Sequence, residues 1–163
     1  MFQNKACAYA LLAMSELAQR HEHGEASGLQ ASEIATTRGM PLAYAAKIMT
    51  RLARSNLLRS DRGPRGGFRL TRDPEQISLL EIVEAVNGQT DLIEGFAALE
   101  LPAAFGTQLQ RTFEQAVAAA RRRLESTTLA GFLAGCGDRV PAEVPVPSAE
   151  PSASEGLRPP QYA

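Results

Sequence analysis

Between Gln30 and Leu70 the apolar residues change period, and that change constrains the fold more than any other feature of the chain. Ile34 and Ala35, then Leu42, Ala45, Ile48, Met49 and Leu52, recur at helical intervals and describe a short helix followed by a longer one. Gly39 lies between them, where a tight turn calls for positive φ, and the small Ala35 lets another helix cross closely. Asn56 then stands where the second helix must stop, since asparagine tolerates the left-handed conformation that ends helices. Leu57 to Ser60 and Gly67 to Leu70 are short strand candidates, joined by Asp61, Arg62, Gly63, Pro64, Arg65 and Gly66. A helix-turn-helix followed at once by a stiff cationic hairpin is a winged helix-turn-helix.

The flanks are helical too, so the expected fold is mainly α with a two-stranded wing. Cys7, Ala10, Leu11, Met14, Leu17 and Ala18 mark an amphipathic helix over residues 3–20, and residues 25–28 read as a loop. Ser78 with Glu81 forms a capping box opening a helix through Leu79, Leu80, Ile82, Val83 and Val86, with Gly88 as its terminator. A second capping box, Thr107 with Gln110, opens a helix expected to run to about Leu133, before Gly135 and Gly137. Its stripe of Leu109, Phe113, Val117, Ala120, Leu124, Thr128 and Phe132 steps by three or four, and about 27 residues make a rod of roughly 40 Å. A domain of about 85 residues leaves one side of such a rod uncovered, so the stripe is expected to pack against its copy in a homodimer. The expected organisation is therefore a DNA-binding domain at 1–88, a linker at 89–106, a long dimerisation helix at 107–135, and a tail at 136–163. That tail carries much of the chain's proline with Ser, Glu and Ala, a composition that favours disorder.

Charge sharpens the functional reading. The 163 residues carry a formal net charge of -1, yet residues 38–72 hold nine basic side chains against the single acid Asp61. Such a stripe in an otherwise acidic chain is the footprint of a polyanion-binding surface. No apolar run approaches a membrane span and the N-terminus lacks a signal-peptide core, so a cytoplasmic location is expected. Two cysteines make neither a disulfide framework nor a four-thiolate metal site. No Ser/His/Asp, Cys/His or paired-carboxylate arrangement suggests an enzyme.

In the helix from Leu42 to Arg54, Tyr44, Lys47, Arg51 and Arg54 are the candidate contacts for a major groove, with Lys47 and Arg51 on one face at i and i+4. The plainer reading is a solvated cationic face. Cys7 falls on the apolar stripe and reads as a core thiol, while Cys136, between glycines, reads as exposed. His21 and His23 close the first helix where positive charge suits its dipole, and H-x-H alone is a weak metal signal.

Tyr9-Ala10, Ala13-Met14, Ile34-Ala35, Leu42-Ala43-Tyr44, Arg51-Leu52, the run from Arg62 to Leu70, and Ile77 to Val86 together resemble the Rrf2 family of bacterial winged-helix transcription regulators, the IscR, NsrR and CymR type. The resemblance covers about residues 1–88, and its R-G-x-x-G-G-[FY]-x-L wing is far more specific than its helix-turn-helix. It implies a homodimer on a pseudo-palindromic operator in double-stranded DNA, and the regulator is expected to act as a repressor. It also implies that Arg62 enters the minor groove, that Arg65 and Arg69 contact flanking phosphates, and that Lys5, after Gln3 and Asn4, touches the backbone. Asp61 either orients Arg62 or weakens binding.

One departure matters as much. Cluster-binding members carry three close cysteines between the fourth helix and the long helix, where residues 88–105 here have none, so no iron-sulfur cofactor is expected. The same segment carries Leu92, Ile93, Phe96, Leu99, Leu101 and Phe105, either an effector pocket or docking surface for a small molecule or protein, or the packing of a hinge. Two alternatives stay open. One is a protein-interaction module with degenerate DNA binding, suggested by Ala43, Ala45 and Ala46 in the recognition helix. The other is an iron-sulfur regulator with atypical ligands such as Cys7, Glu16, His21 and Cys136.

Overall fold

The structure, a computed structural model, describes residues 5–24, 28–61, 63, 66–88 and 102–137. Helix α1 (Lys5–Glu22) is the centre of the domain, with ten of its 18 residues buried. It packs against α3 (Leu42–Arg54), α4 (Leu79–Asn87), α6 (Leu129–Cys136) and the second strand of the hairpin. So much buried surface on one helix needs small residues, and Ala6, Ala10, Ala13 and Ala18 provide the close approach.

The helix-turn-helix forms as its spacing suggests. Helix α2 (Ala31–Thr37) opens where the Gln30 N–H donates to the Glu33 carboxylate at 2.7 Å. Gly39 takes φ 60° in the turn, and the Met40 N–H closes on the Ala35 carbonyl. Helix α3 ends in a left-handed residue: Asn56 has φ 57°, and the Leu57 N–H reaches back to the Leu52 carbonyl. The chain enters β1 (Leu58–Asp61), which pairs antiparallel with β2 (Gly67–Leu70), Leu58 opposite Leu70 and Asp61 opposite Gly67. The first strand thus starts one residue later than expected.

The hairpin has a third member. Leu29 bonds both ways to Phe68, N–H to carbonyl at 3.0 Å and carbonyl to N–H at 2.8 Å, so the edge of β2 is covered and the wing is tied to the start of α2. Gly28 and Gly67 make that approach possible, since a Cβ on Gly67 would lie 2.6 Å from the Gly28 carbonyl carbon, and Gly67 has φ 141°. Gly67→Ala is expected to cost at least the roughly 1–3 kcal/mol of a strained backbone, because it adds a backbone clash. Gly63→Ala, also at positive φ but with open space around it, bears the conformational cost alone. Thermal melts of the two variants should rank in that order.

After a 3-10 turn at Pro74–Gln76, Ser78 caps α4 in the expected box: Ser78 Oγ accepts from the Glu81 N–H and Glu81 Oε2 accepts from the Ser78 N–H at 2.9 Å. Burial works against ionisation of Glu81, but hydrogen bonds from Arg72 and Ser78 and the charge of Arg72 outweigh it and hold the carboxyl below its usual range. A depressed acid stabilises the fold above its unfolded pKa, about 4.3, and that stabilisation is lost as pH falls through the folded value. Melting temperature should therefore fall more steeply below about pH 4.3 in the parent than in Glu81→Gln.

The expected single C-terminal helix is two. Helix α5 (Ala103–Glu125) begins earlier than Thr107, whose hydroxyl donates to the Ala103 carbonyl inside the helix and caps nothing. It stops at Ser126, Thr127 and Thr128, whose hydroxyls compete for backbone groups. Ser126 and Thr127 both donate to the Arg123 carbonyl, while Thr128 caps α6 by accepting from the Gly131 N–H at 3.0 Å. The break docks on the start of α4: the Leu79 N–H meets the Thr127 carbonyl, the Leu129 N–H meets the Ile77 carbonyl at 2.7 Å, and Leu129 is fully buried. Helix α6 therefore belongs to the domain core. The expected tail from residue 138 onward lies outside the described residues.

Candidate nucleic-acid interface

Helix α3 is two-faced. Ala45, Ile48, Met49 and Leu52 are buried, and no acidic residue occupies its first turn. The opposite side exposes Leu42, Ala43, Ala46, Lys47, Thr50, Arg51 and Arg54, so Lys47, Thr50 and Arg54 form one stripe at i, i+3 and i+7. Thr50 belongs to that surface and its spacing relative to Lys47 was legible, though a threonine carries no charge to draw attention to it.

The other expected contacts are less uniform. Tyr44 is half-buried, its ring edge-on to Tyr9 with centroids 5.4 Å apart, so its position is set by packing. Arg51 turns toward α4, where its guanidinium donates to the Val86 carbonyl. Lys5, the first residue of α1, is exposed. Arg69 pairs with Asp61 at 3.1 Å, and Arg59 approaches the same carboxylate at 4.0 Å. Asp61 thus engages the base of the wing from the side of Arg59 and Arg69. Arg62 and Arg65 lie outside the described residues.

Arg38, one of the nine cations of the basic window, is not on the surface. It is buried, with its Nη2 2.7 Å from Glu16 Oε2. Arg72 likewise pairs with Glu81 at 2.8 Å. Arg59, 61% exposed in its side chain, is a wing cation that the candidate contacts leave out.

On α5, Leu109, Phe113, Val117, Ala120 and Leu124 form the expected half-buried stripe, and no residue of this 23-residue helix is buried. Its C-terminal part is anchored through Leu124 against the core and Arg121 to Glu84 at 2.5 Å. Phe132 is a correction: the break at Thr128 places it on α6, packed against the domain's own core with Leu133. Phe105 lies in the first turn of α5 rather than in a linker and is 59% exposed. Leu92, Ile93, Phe96, Leu99 and Leu101 lie outside the described residues.

Cys7 is buried, and Asn87 Nδ2 lies 2.9 Å from its Sγ. Burial pushes the thiol up despite that hydrogen bond, which makes it a poor nucleophile at neutral pH. Cys136 is half-buried rather than exposed. No helix among the described residues is long and apolar enough to cross a membrane.

A family model described as "Iron-dependent Transcriptional regulator", Rrf2, matches residues 3–135. A protein of Mycobacterium tuberculosis named as an HTH-type transcriptional regulator is 31% identical over 130 residues, 78% of each chain. The IscR regulator of Cronobacter sakazakii is 34% identical over 83 residues, 51% of this chain and 49% of that one, so the chain spans about half the length of several curated relatives it matches. Among solved structures, a transcriptional regulator from Listeria innocua has a TM-score of 0.67 at 25% identity, covering 83% of this chain and 88% of that one. CymR, the global cysteine regulator of B. subtilis, has 0.64 at 26%, covering 81% and 95%.

Iron in that description is tested by the donors. Among the described residues no group of three or more His, Cys, Asp or Glu is placed to hold a metal. Cys7, Glu16 and His21 are spread along about 21 Å of α1, and Glu16 is engaged by Arg38, so they do not share one metal within a protomer. Among the described residues, then, these three candidate ligands are not brought together. The winged-helix architecture, the solved neighbours and a family model spanning most of the chain agree: the chain belongs to the Rrf2 family of transcriptional regulators, proteins that regulate genes and are not enzymes.

Proposed function

We propose that the chain is a repressor that binds a pseudo-palindromic operator as a homodimer, with α3 in the major groove and the wing in the adjacent minor groove, without a three-cysteine cluster. The exposed face of α3 carries the proposal: Lys47, Thr50 and Arg54 stand in one stripe with no acid in the helix, beside a wing bearing Arg59 and Arg69. Lys47 and Arg54 hold phosphates and set register, Thr50 is suited to a base edge, and Ala43 and Ala46 offer methyl contact to thymine. Arg62 and Arg65, in the sequence that joins the two strands, supply the minor-groove and flanking contacts that the family resemblance implies.

The homodimer rests on α5. A rod of about 35 Å with an apolar stripe and no buried residue is half of an interface. Val117→Glu puts a charge in the middle of that stripe and is expected to convert the dimer to a monomer in sedimentation velocity runs, with the helical content unchanged.

Ala43 and Ala46 fill two exposed positions of α3 and offer no polar group to a base edge, and that favours one second reading: an interaction module with degenerate DNA binding. Selection of bound fragments from the source genome, followed by competition with excess nonspecific DNA, separates the two. Preference for one site that survives the competitor supports the repressor; loss of preference supports the module.

A further inference from the structure

The base of the wing faces a cavity of about 600 Å³ that takes no residue from α3. It lies between the last turn of α1, the hairpin and the segment 71–73. Among the described residues, four arginines, Arg20, Arg59, Arg69 and Arg72, line it against one acid, Asp73. The acids that pair with these arginines, Glu16, Glu33, Asp61 and Glu81, are not in the lining. Arg69 and Arg72 hold their acids at 3.1 and 2.8 Å, whereas Arg59, with 61% of its side chain exposed, only approaches Asp61, at 4.0 Å.

Strand register adds a second, independent observation. Arg59 and Arg69 are directly opposed across β1 and β2, a like-charge pairing that destabilises a hairpin. Asp61 is the one carboxylate shared between them. An oxyanion in the cavity neutralises the repulsion that the fold otherwise carries, and guanidinium forks are the geometry that planar or tetrahedral oxyanions match.

We propose that this cavity binds a small polyanion bearing phosphate or carboxylate groups, and that its occupancy clamps the base of the wing to α1. Leu17 and Phe68 contribute apolar wall, so an organic anion fits better than an inorganic one. The consequence for operator affinity rests on the reading above; binding of the anion does not.

The test uses the full chain without DNA and inorganic pyrophosphate as probe, titrated calorimetrically against chloride at matched ionic strength. Saturable binding is expected, weakened at least tenfold in Arg59→Gln and in Arg20→Gln, and unchanged in Lys47→Ala on the recognition helix. Circular dichroism checks that each variant is folded; because Arg59 is the most exposed of the four, its variant keeps the test decisive if Arg20→Gln is destabilised. Absence of saturable binding overturns the proposal. So does binding that is lost in Lys47→Ala and kept in the two cavity variants, which would mean that the anion only occupies the positions of DNA phosphates. If pyrophosphate binds as proposed but no operator is found, the site stands and the repressor reading fails.

Discussion

Raising salt from about 50 to about 200 mM is expected to lower the affinity of the dimer for an operator fragment by roughly three to five orders of magnitude. The expectation follows from about four phosphate contacts per protomer, so about eight counterions released per dimer. Lys47 and Arg54 stand exposed on α3, Arg51 is exposed beside them, and the sequence between the wing strands adds Arg62 and Arg65. Fluorescence anisotropy on a labelled fragment measures the slope of log affinity against log salt. Lys47→Ala should reduce that slope by about one unit per protomer and weaken all sequences alike, as a phosphate contact does. A flat response would sink the nucleic-acid reading altogether. A contact from Arg51 requires a change of partner: its guanidinium engages the Val86 carbonyl, so binding DNA through it means releasing the end of α4.

Local signals carried the winged helix. Gly39 and Asn56 are at the positive-φ positions their residue types suggest, and Ser78 with Glu81 makes both bonds of its capping box. These features act within a few residues, and sequence displays them directly. What spacing did not display was competition between periodic pattern and backbone chemistry. The apolar stripe runs on from Leu124 through Thr128 to Phe132, so period alone describes one rod. The hydroxyl run at Ser126 to Thr128 ends it, because those side chains take up backbone carbonyls and then cap a new helix. Long-range pairing was equally silent. Leu29 is a single residue of strand, below any periodicity, and only the facing pair Gly28 and Gly67 hints that two backbones meet there. In the site, charge was legible but its destination was not: a window rich in arginine does not say which arginines face inward.

Arg38 is the clearest instance, and Glu16→Ala is expected to destabilise the domain by about 3–5 kcal/mol for that reason. The Arg38 side chain is only 6% exposed and Glu16 16%, so removing the carboxylate leaves a guanidinium in the interior without its principal counter-charge. Arg38 is the residue that follows α2, in the turn that sets the angle of α3, so the pair holds the helix-turn-helix to α1. Glu33→Ala removes a partner of Arg20 with 45% of its side chain exposed together with the Gln30 cap of α2, and should cost only about 0.5–2 kcal/mol, most of it from the cap, since surface pairs contribute little. Urea melts of the two variants distinguish an interior ion pair from an exposed one. The double substitution Glu16→Leu with Arg38→Met should recover most of the loss, because an apolar pair of similar volume carries no desolvation penalty. The same double variant separates structure from recognition: with stability restored, its salt slope on operator DNA should equal that of the parent, whereas that of Lys47→Ala does not. An interior arginine releases no counterions from DNA, so the cationic window of the sequence overstates the binding surface by the charges that the fold has already spent on itself.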